Sequence, residues 1–309
     1  MRLKNLYLEL TSACNLHCLT CDSCMQLNEL NFDQIKPILI SASEKGARQL
    51  YLTGGEPLVH KDIFQIIEYA RSLRFHINMS CNGTLLDANV VERLLQAGLN
   101  NISLSLDGPR ELNDYIRGAG VYDKVINSLK IFRDKKLSRM VNVLFTVSKV
   151  NYQALPDVLG IVQEFGVRQL FLNVFDPSFC INDRAGKSEI FLIPEQQLKN
   201  LEGVLYQSKS LAANLRIHFP DDAYLQNMIR YFKNEPIMPD NGCQIPAASS
   251  TVDASGQVGA CWKCMTDLNI GSLTTNEIWD SKEYRQIVET AAKKSCPGCL
   301  FACYSERSI

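Results

Sequence analysis

Short apolar runs of strand character alternate with amphipathic stretches of helical period from Leu3 to about Phe219, and this rhythm restricts the fold more than any other feature of the chain. Strand patterns lie at Leu3–Thr11, Gln49–Thr53, His76–Ser80, Ile102–Leu106, Val141–Val147 and Gln169–Val174. Helical patterns follow at Phe32–Lys45, closed by Gly46, and at Ile63–Leu73, Asn89–Gln96, Tyr122–Phe132, Ala154–Phe165 and Pro194–Gln207. Six strand-then-helix units make parallel strands joined by right-handed crossovers, so the fold class is α/β, as a barrel or an open sheet.

The rhythm stops after Phe219. A segment with Pro220, Pro236, Pro239 and Gly242 reads as a linker over 220–242, and 243–309 has a different texture. There Thr251 to Cys261 predicts a β-hairpin around Asp253-Ala254-Ser255-Gly256, and Ser281–Ala292 predicts a short helix. So little apolar sequence remains in this module that a metal is expected to staple it.

With 309 residues, 46% of them hydrophobic, the chain buries a full core, and a net charge of -1 gives no general attraction to nucleic acid or to an anionic membrane face. The opening residues lack the apolar stretch of an export signal, and no run of about 18 apolar residues occurs. A cytoplasmic protein acting on a small molecule or a peptide is expected. Twelve cysteines would suggest disulfides in a short secreted chain, but here they cluster. Close-spaced thiols in a reducing compartment point to metal.

Cys14, Cys18 and Cys21 put three thiols within eight residues at the C-terminal end of the first strand, where α/β barrels keep their active sites. A [4Fe–4S] cluster takes four ligands, so a loop supplying three leaves one iron open to an outside ligand. A zinc site is the alternative. In the second group, Cys243, Cys261, Cys264, Cys296, Cys299 and Cys303, the pairs Cys261/Cys264 and Cys296/Cys299 read by themselves as a zinc ribbon.

Cys14-x3-Cys18-x2-Cys21 resembles the defining motif of the radical S-adenosylmethionine superfamily. The resemblance implies a partial (β/α)6 TIM-like barrel over 1–219, a [4Fe–4S] cluster on those cysteines, and S-adenosylmethionine bound at the open iron. It also implies reductive cleavage to a 5′-deoxyadenosyl radical that abstracts hydrogen from an unactivated C–H bond, with an electron donor such as flavodoxin or ferredoxin. One departure is Thr20, where the family usually has an aromatic residue. Thr53-Gly54-Gly55-Glu56-Pro57 is similar to the family's Gly-Gly-Glu-Pro motif: Gly54 and Gly55 would let backbone approach the methionine amine, and Glu56 would anchor it or the loop. Ser105-Leu106-Asp107-Gly108 with Arg117 downstream resembles another family stretch, which implies Ser105 on the cofactor and Arg117 on its carboxylate. Cys81 stands where the family often has threonine, a buried small residue or a hydrogen donor to a substrate radical.

Cys243-x12-Gly256-x4-Cys261 followed by Cys296-x2-Cys299 is similar to the SPASM and twitch auxiliary-cluster modules. The cysteine count favours one auxiliary [4Fe–4S] cluster on Cys243, Cys261, Cys296 and Cys299, with Cys264 and Cys303 as alternative ligands. Three functional readings follow. The first is a radical enzyme for dehydrogenation or epimerisation of a small polar substrate, favoured because the barrel starts at residue 3. The others are a radical maturase of a ribosomally made peptide, and a non-enzymatic iron–sulfur or zinc protein.

Overall fold

The computed structural model describes residues 2–22, 27–179, 186–237, 243, 245–271, 275–292 and 300. Its first half runs β1 (Asn5–Glu9), α1 (Phe32–Glu44), β2 (Gln49–Thr53), α2 (Ile63–Ser72), β3 (His76–Cys81), α3 (Ala88–Ala97), β4 (Asn101–Ser105), α4 (Arg110–Arg117) and α5 (Val121–Asp134). It continues with β5 (Val141–Val147), α6 (Leu155–Glu164), β6 (Leu170–Val174), α7 (Lys187–Phe191), α8 (Leu198–Leu215) and α9 (Asp222–Phe232). The last part holds α10 (Ile245–Ala248), β7 (Ser249–Val252), β8 (Gln257–Cys261), β9 (Cys264–Asn269), α11 (Thr275–Asp280) and α12 (Lys282–Ala292).

Strands β1 to β6 pair in parallel in chain order, as the alternation of patterns requires. Along each strand the residues alternate between two environments. Leu6, Leu8, Leu50, Leu52, Ile77, Met79, Ile102, Leu104, Val143 and Phe145 are wholly buried in one core with helix residues such as Ile35, Ile66, Leu94 and Leu129. Between them stand Tyr7, Glu9, Thr53, Asn78, Ser80, Ser105, Thr146 and Asn173, only half-buried on the opposite face. A parallel sheet covered on both faces would be apolar on both. The polar second face is the concave interior of an unclosed barrel, and it carries the site. α1 shows how the helices begin: Asn31 Oδ1 accepts from Gln34 N at 3.0 Å and Gln34 Oε1 accepts from Asn31 N at 3.0 Å, a reciprocal cap on two orphan donors.

Two features depart from the sequence reading. The 220–242 segment is not a bare linker: Tyr224, Leu225 and Met228 of α9 are buried in the main core, and Asp221 caps the helix. The C-terminal strands do not form a separate layer either. β7 pairs in parallel with β1 from Asn5↔Ser249 to Leu8↔Val252, and β8 and β9 extend the same sheet in antiparallel fashion to nine strands. The expected hairpin is present around Asp253, whose Oδ1 accepts from Ser255 N and Gln257 N at 2.9 Å each. Strand β9 was not anticipated. It returns at once from β8, so that Cys261 faces Cys264.

Candidate active site

A cavity of about 290 Å³ lies at the C-terminal ends of β1 to β6 and is lined by Cys14, Cys18 and Cys21 together with Thr53, Gly54, Gly55, Ser80, Ser105, Arg117, Thr146 and Asn173. All six parallel strands contribute to it, directly or through the residues that follow them.

The cysteine loop is held from below. Thr11 O accepts from Gly55 N at 2.7 Å and Ala13 O from Glu56 N at 2.9 Å. A Cβ on Gly54 would stand 2.3 Å from Thr11 O, and one on Gly55 would stand 2.4 Å from Ala13 O and 2.5 Å from Ser12 O. The glycines are therefore already required by backbone pressed against backbone, a reason added to the approach of a cofactor amine. Glu56 is wholly buried: Oε1 accepts from Leu58 N at 3.0 Å and Oε2 from Asn82 N at 2.7 Å, so it ties the β2 loop to the end of β3. Burial pushes its carboxyl up to about 7, against the pull of those two N–H groups. Pro57 is buried at the start of the turn that Glu56 caps.

Asn82 extends the network upward. Its Nδ2 donates to Asn15 Oδ1 at 2.8 Å and approaches Cys14 Sγ at 3.9 Å, while Leu16 N donates to the same sulfur at 3.4 Å. On the other side Leu19 N donates to Ile116 O at 2.8 Å, which docks the loop on the end of α4. Arg117, the last residue of that helix, places Nε and Nη2 each 2.7 Å from Asp107 Oδ2. Asp107 is wholly buried, with Oδ1 accepting from Thr146 N at 2.7 Å. Arg117 thus lines the cavity as a braced cation next to the thiols. Burial pushes the Cys18 thiol up to about 11, and the nearby guanidinium opposes that shift.

These groups fit an iron–sulfur cluster. Three thiols from one loop open on one cavity, N–H donors stand at Cys14, and a cation stands at Cys18, the surroundings that steady sulfur ligands carrying negative charge. The structure brings the cysteine loop, Gly54, Gly55, Ser105 and Arg117 to one place, with Glu56 and Pro57 beneath. Cys81 also borders the cavity, but it is only 4% exposed in the main core, and Ser80 takes the inner-face position. Burial drives the Cys81 thiol well above its ordinary value and keeps it protonated. Among the second group, Cys243 is buried and Cys261 faces Cys264, whereas Cys296, Cys299 and Cys303 lie outside the described residues. Sequence reasoning gave no role to Asp107, which sits in a motif it singled out, or to Asn82, which directly follows Cys81. Asn173 and Asp176 had no signal at all, since only the sheet order brings the end of β6 to this cavity.

Fold and site together fit an iron–sulfur centre at the mouth of an open parallel barrel, and comparison with known proteins gives the family. Residues 8–161 match the radical SAM superfamily and residues 243–303 match SPASM, an iron–sulfur cluster-binding domain. An AdoMet-dependent heme synthase of Methanosarcina barkeri is 32% identical over 164 residues, 51% of this chain and 46% of that protein, so the chain spans about half the length of this curated relative. Among solved structures, Streptococcus suis SuiB bound to S-adenosylmethionine superposes with a TM-score of 0.72 at 16% identity, over 98% of this chain and 72% of that one. The structure of anSMEcpe with bound AdoMet and Cp18Cys peptide gives a TM-score of 0.69 at 20% identity, over 96% and 85% of the two chains. The chain belongs to the radical SAM superfamily, with a C-terminal SPASM iron–sulfur cluster-binding domain. Its cofactors are a [4Fe–4S] cluster, S-adenosylmethionine and auxiliary iron–sulfur. No helix among the described residues is long and apolar enough to cross a membrane.

Proposed function

We propose that this enzyme oxidises its substrate at an unactivated C–H bond. When bound, the Cys14/Cys18/Cys21 cluster and S-adenosylmethionine would supply a 5′-deoxyadenosyl radical for hydrogen abstraction, and the auxiliary centre would supply an acceptor for the second electron, the proton passing to solvent. The observation that carries this reading is the single cavity shared by the three thiols and the polar ends of the strands. Within it Arg117, with Nε and Nη2 on Asp107, offers its remaining N–H groups to a carboxylate, Ser105 and Thr146 offer hydroxyls, and the Gly54–Gly55 backbone offers a wall that no side chain obstructs. The Asp107 brace fixes the guanidinium at the cavity wall. The auxiliary ligands in this reading are Cys243, Cys261, Cys296 and Cys299, with Cys264 and Cys303 as alternatives, and the reductant is a flavodoxin- or ferredoxin-like donor.

Two substrate classes are open to such a cavity. The polar inner face of the barrel supports a small polar substrate. The likeness to anSMEcpe, described with a bound peptide, supports a peptide. Anaerobic turnover of the fully reconstituted enzyme should give 5′-deoxyadenosine that rises on adding the true substrate, and candidate small polyols and candidate peptides can be screened by this increment. A reconstituted enzyme that binds S-adenosylmethionine yet never forms 5′-deoxyadenosine under reducing conditions would sink the proposal.

A further inference from the structure

The Asp107–Arg117 brace has a counterpart at the same cavity. Asp176, two residues beyond β6, lines the same cavity, and its Oδ2 lies 2.7 Å from Lys263 Nζ. The two side chains are only 11% and 17% exposed, so the pair is sheltered from solvent screening. Ser178 N donates to Asp176 Oδ1 at 2.9 Å, and the Ser178 hydroxyl accepts from the same Lys263 ammonium. Lys263 stands in the tight turn Cys261-Trp262-Lys263-Cys264, whose cysteines face each other across β8 and β9. One ion pair thus joins a cavity-lining residue of the barrel to the turn bearing two candidate ligands of the auxiliary centre. The arrangement has the same parts as the first site: a cation on a cysteine-bearing segment, held by an aspartate that follows a barrel strand and itself accepts from a backbone N–H.

A short turn gives the lysine backbone no freedom to move away from the two sulfurs, and Asp176 with Ser178 fixes where its charge points. Reduction adds negative charge to an iron–sulfur centre, so a fixed cation favours the reduced form and an exposed carboxylate disfavours it. We infer that Lys263, held by Asp176, is a positioning residue that sets the charge beside the C-terminal iron–sulfur centre and thereby its reduction potential. The inference rests on the reading that the C-terminal cysteines hold that centre.

The full chain carrying Cys14→Ala, Cys18→Ala and Cys21→Ala isolates the auxiliary centre. After anaerobic reconstitution, iron is counted and the potential is followed by EPR in a redox titration. Lys263→Met should lower the potential by at least 59 mV, a tenfold change in the oxidised-to-reduced ratio of a one-electron couple. Asp176→Asn should raise it, the Asp176→Asn/Lys263→Met double variant should return toward the parent, and Lys263→Arg should stay near it. The inference is overturned by iron-loaded single variants whose potentials match the parent or move in the same direction. It is also overturned by loss of iron from Lys263→Met and Lys263→Arg alike, which would make the pair a mechanical latch. A parent that binds no iron would instead refute the auxiliary-centre reading beneath it.

Discussion

Glu56 and Glu9 show what a motif and an alternation pattern leave open about a carboxylate. Glu56 was expected to anchor a cofactor amine or its loop, and in the structure both its oxygens are taken by backbone N–H groups of Leu58 and Asn82. Glu9 is an inner-face residue by its strand parity, and parity says nothing about its charge state. Burial and the neighbouring Asp253 carboxylate raise it from 4.5 to about 7, with the Ala254 N–H opposing. The sign follows from linkage: the folded form holds its proton more tightly than the unfolded chain does. The contribution to stability is complete below about 4.5 and is lost as pH rises through about 7. Glu9→Gln removes the ionising group, so its thermal midpoint should exceed that of wild type at pH 8.5 and approach it near pH 5. A constant difference across that range would mean that Glu9 does not titrate as the geometry requires.

At the scale of elements, periodicity found the six parallel strands and most helices, because buried apolar faces recur every second or every third-to-fourth residue. It missed α4, whose only buried residues are Asn113 and Ile116, a helix recognisable by its position between Pro109 and Gly118 rather than by an apolar stripe. That short helix holds the cysteine loop from one side, and the Gly54–Gly55 turn holds it from the other. Gly55→Ala would force a Cβ to within 2.5 Å of two carbonyl oxygens, both backbone, so the loop has to shift. Overpacking of this kind costs about 1–3 kcal/mol. The expected result is loss of iron from the Cys14/Cys18/Cys21 site and of 5′-deoxyadenosine formation, with C-terminal iron retained. Iron stoichiometry and EPR of the variant check this, and a fully loaded first cluster would contradict it.

Across the whole molecule, the β1–β7 pairing is the feature the sequence concealed. A four-residue strand, Ser-Ser-Thr-Val, carries no marker of its partner, and the scarcity of apolar sequence suggested a metal-stapled module instead. Asn5 Nδ2 reaches Ser249 Oγ at 3.1 Å, and Leu6 and Leu8, wholly buried, lie in the strand that would become an edge if the C-terminal part were absent. A chain ending at residue 242 should therefore aggregate on expression, and added iron, sulfide and S-adenosylmethionine should not rescue it. A soluble monomer in sedimentation would show that the barrel closes its own edge. The same pairing spans 244 residues of sequence. At a ribosomal pace of about 5–20 residues per second, β1 waits roughly 12–50 s after its own synthesis for its neighbour to emerge. The first cysteine loop, which follows β1 directly, is thus made long before the other edge of that strand is covered. A finished nine-stranded sheet is expected to precede stable loading of the first cluster, so slow growth at low temperature should raise the yield of loaded protein more than extra iron does.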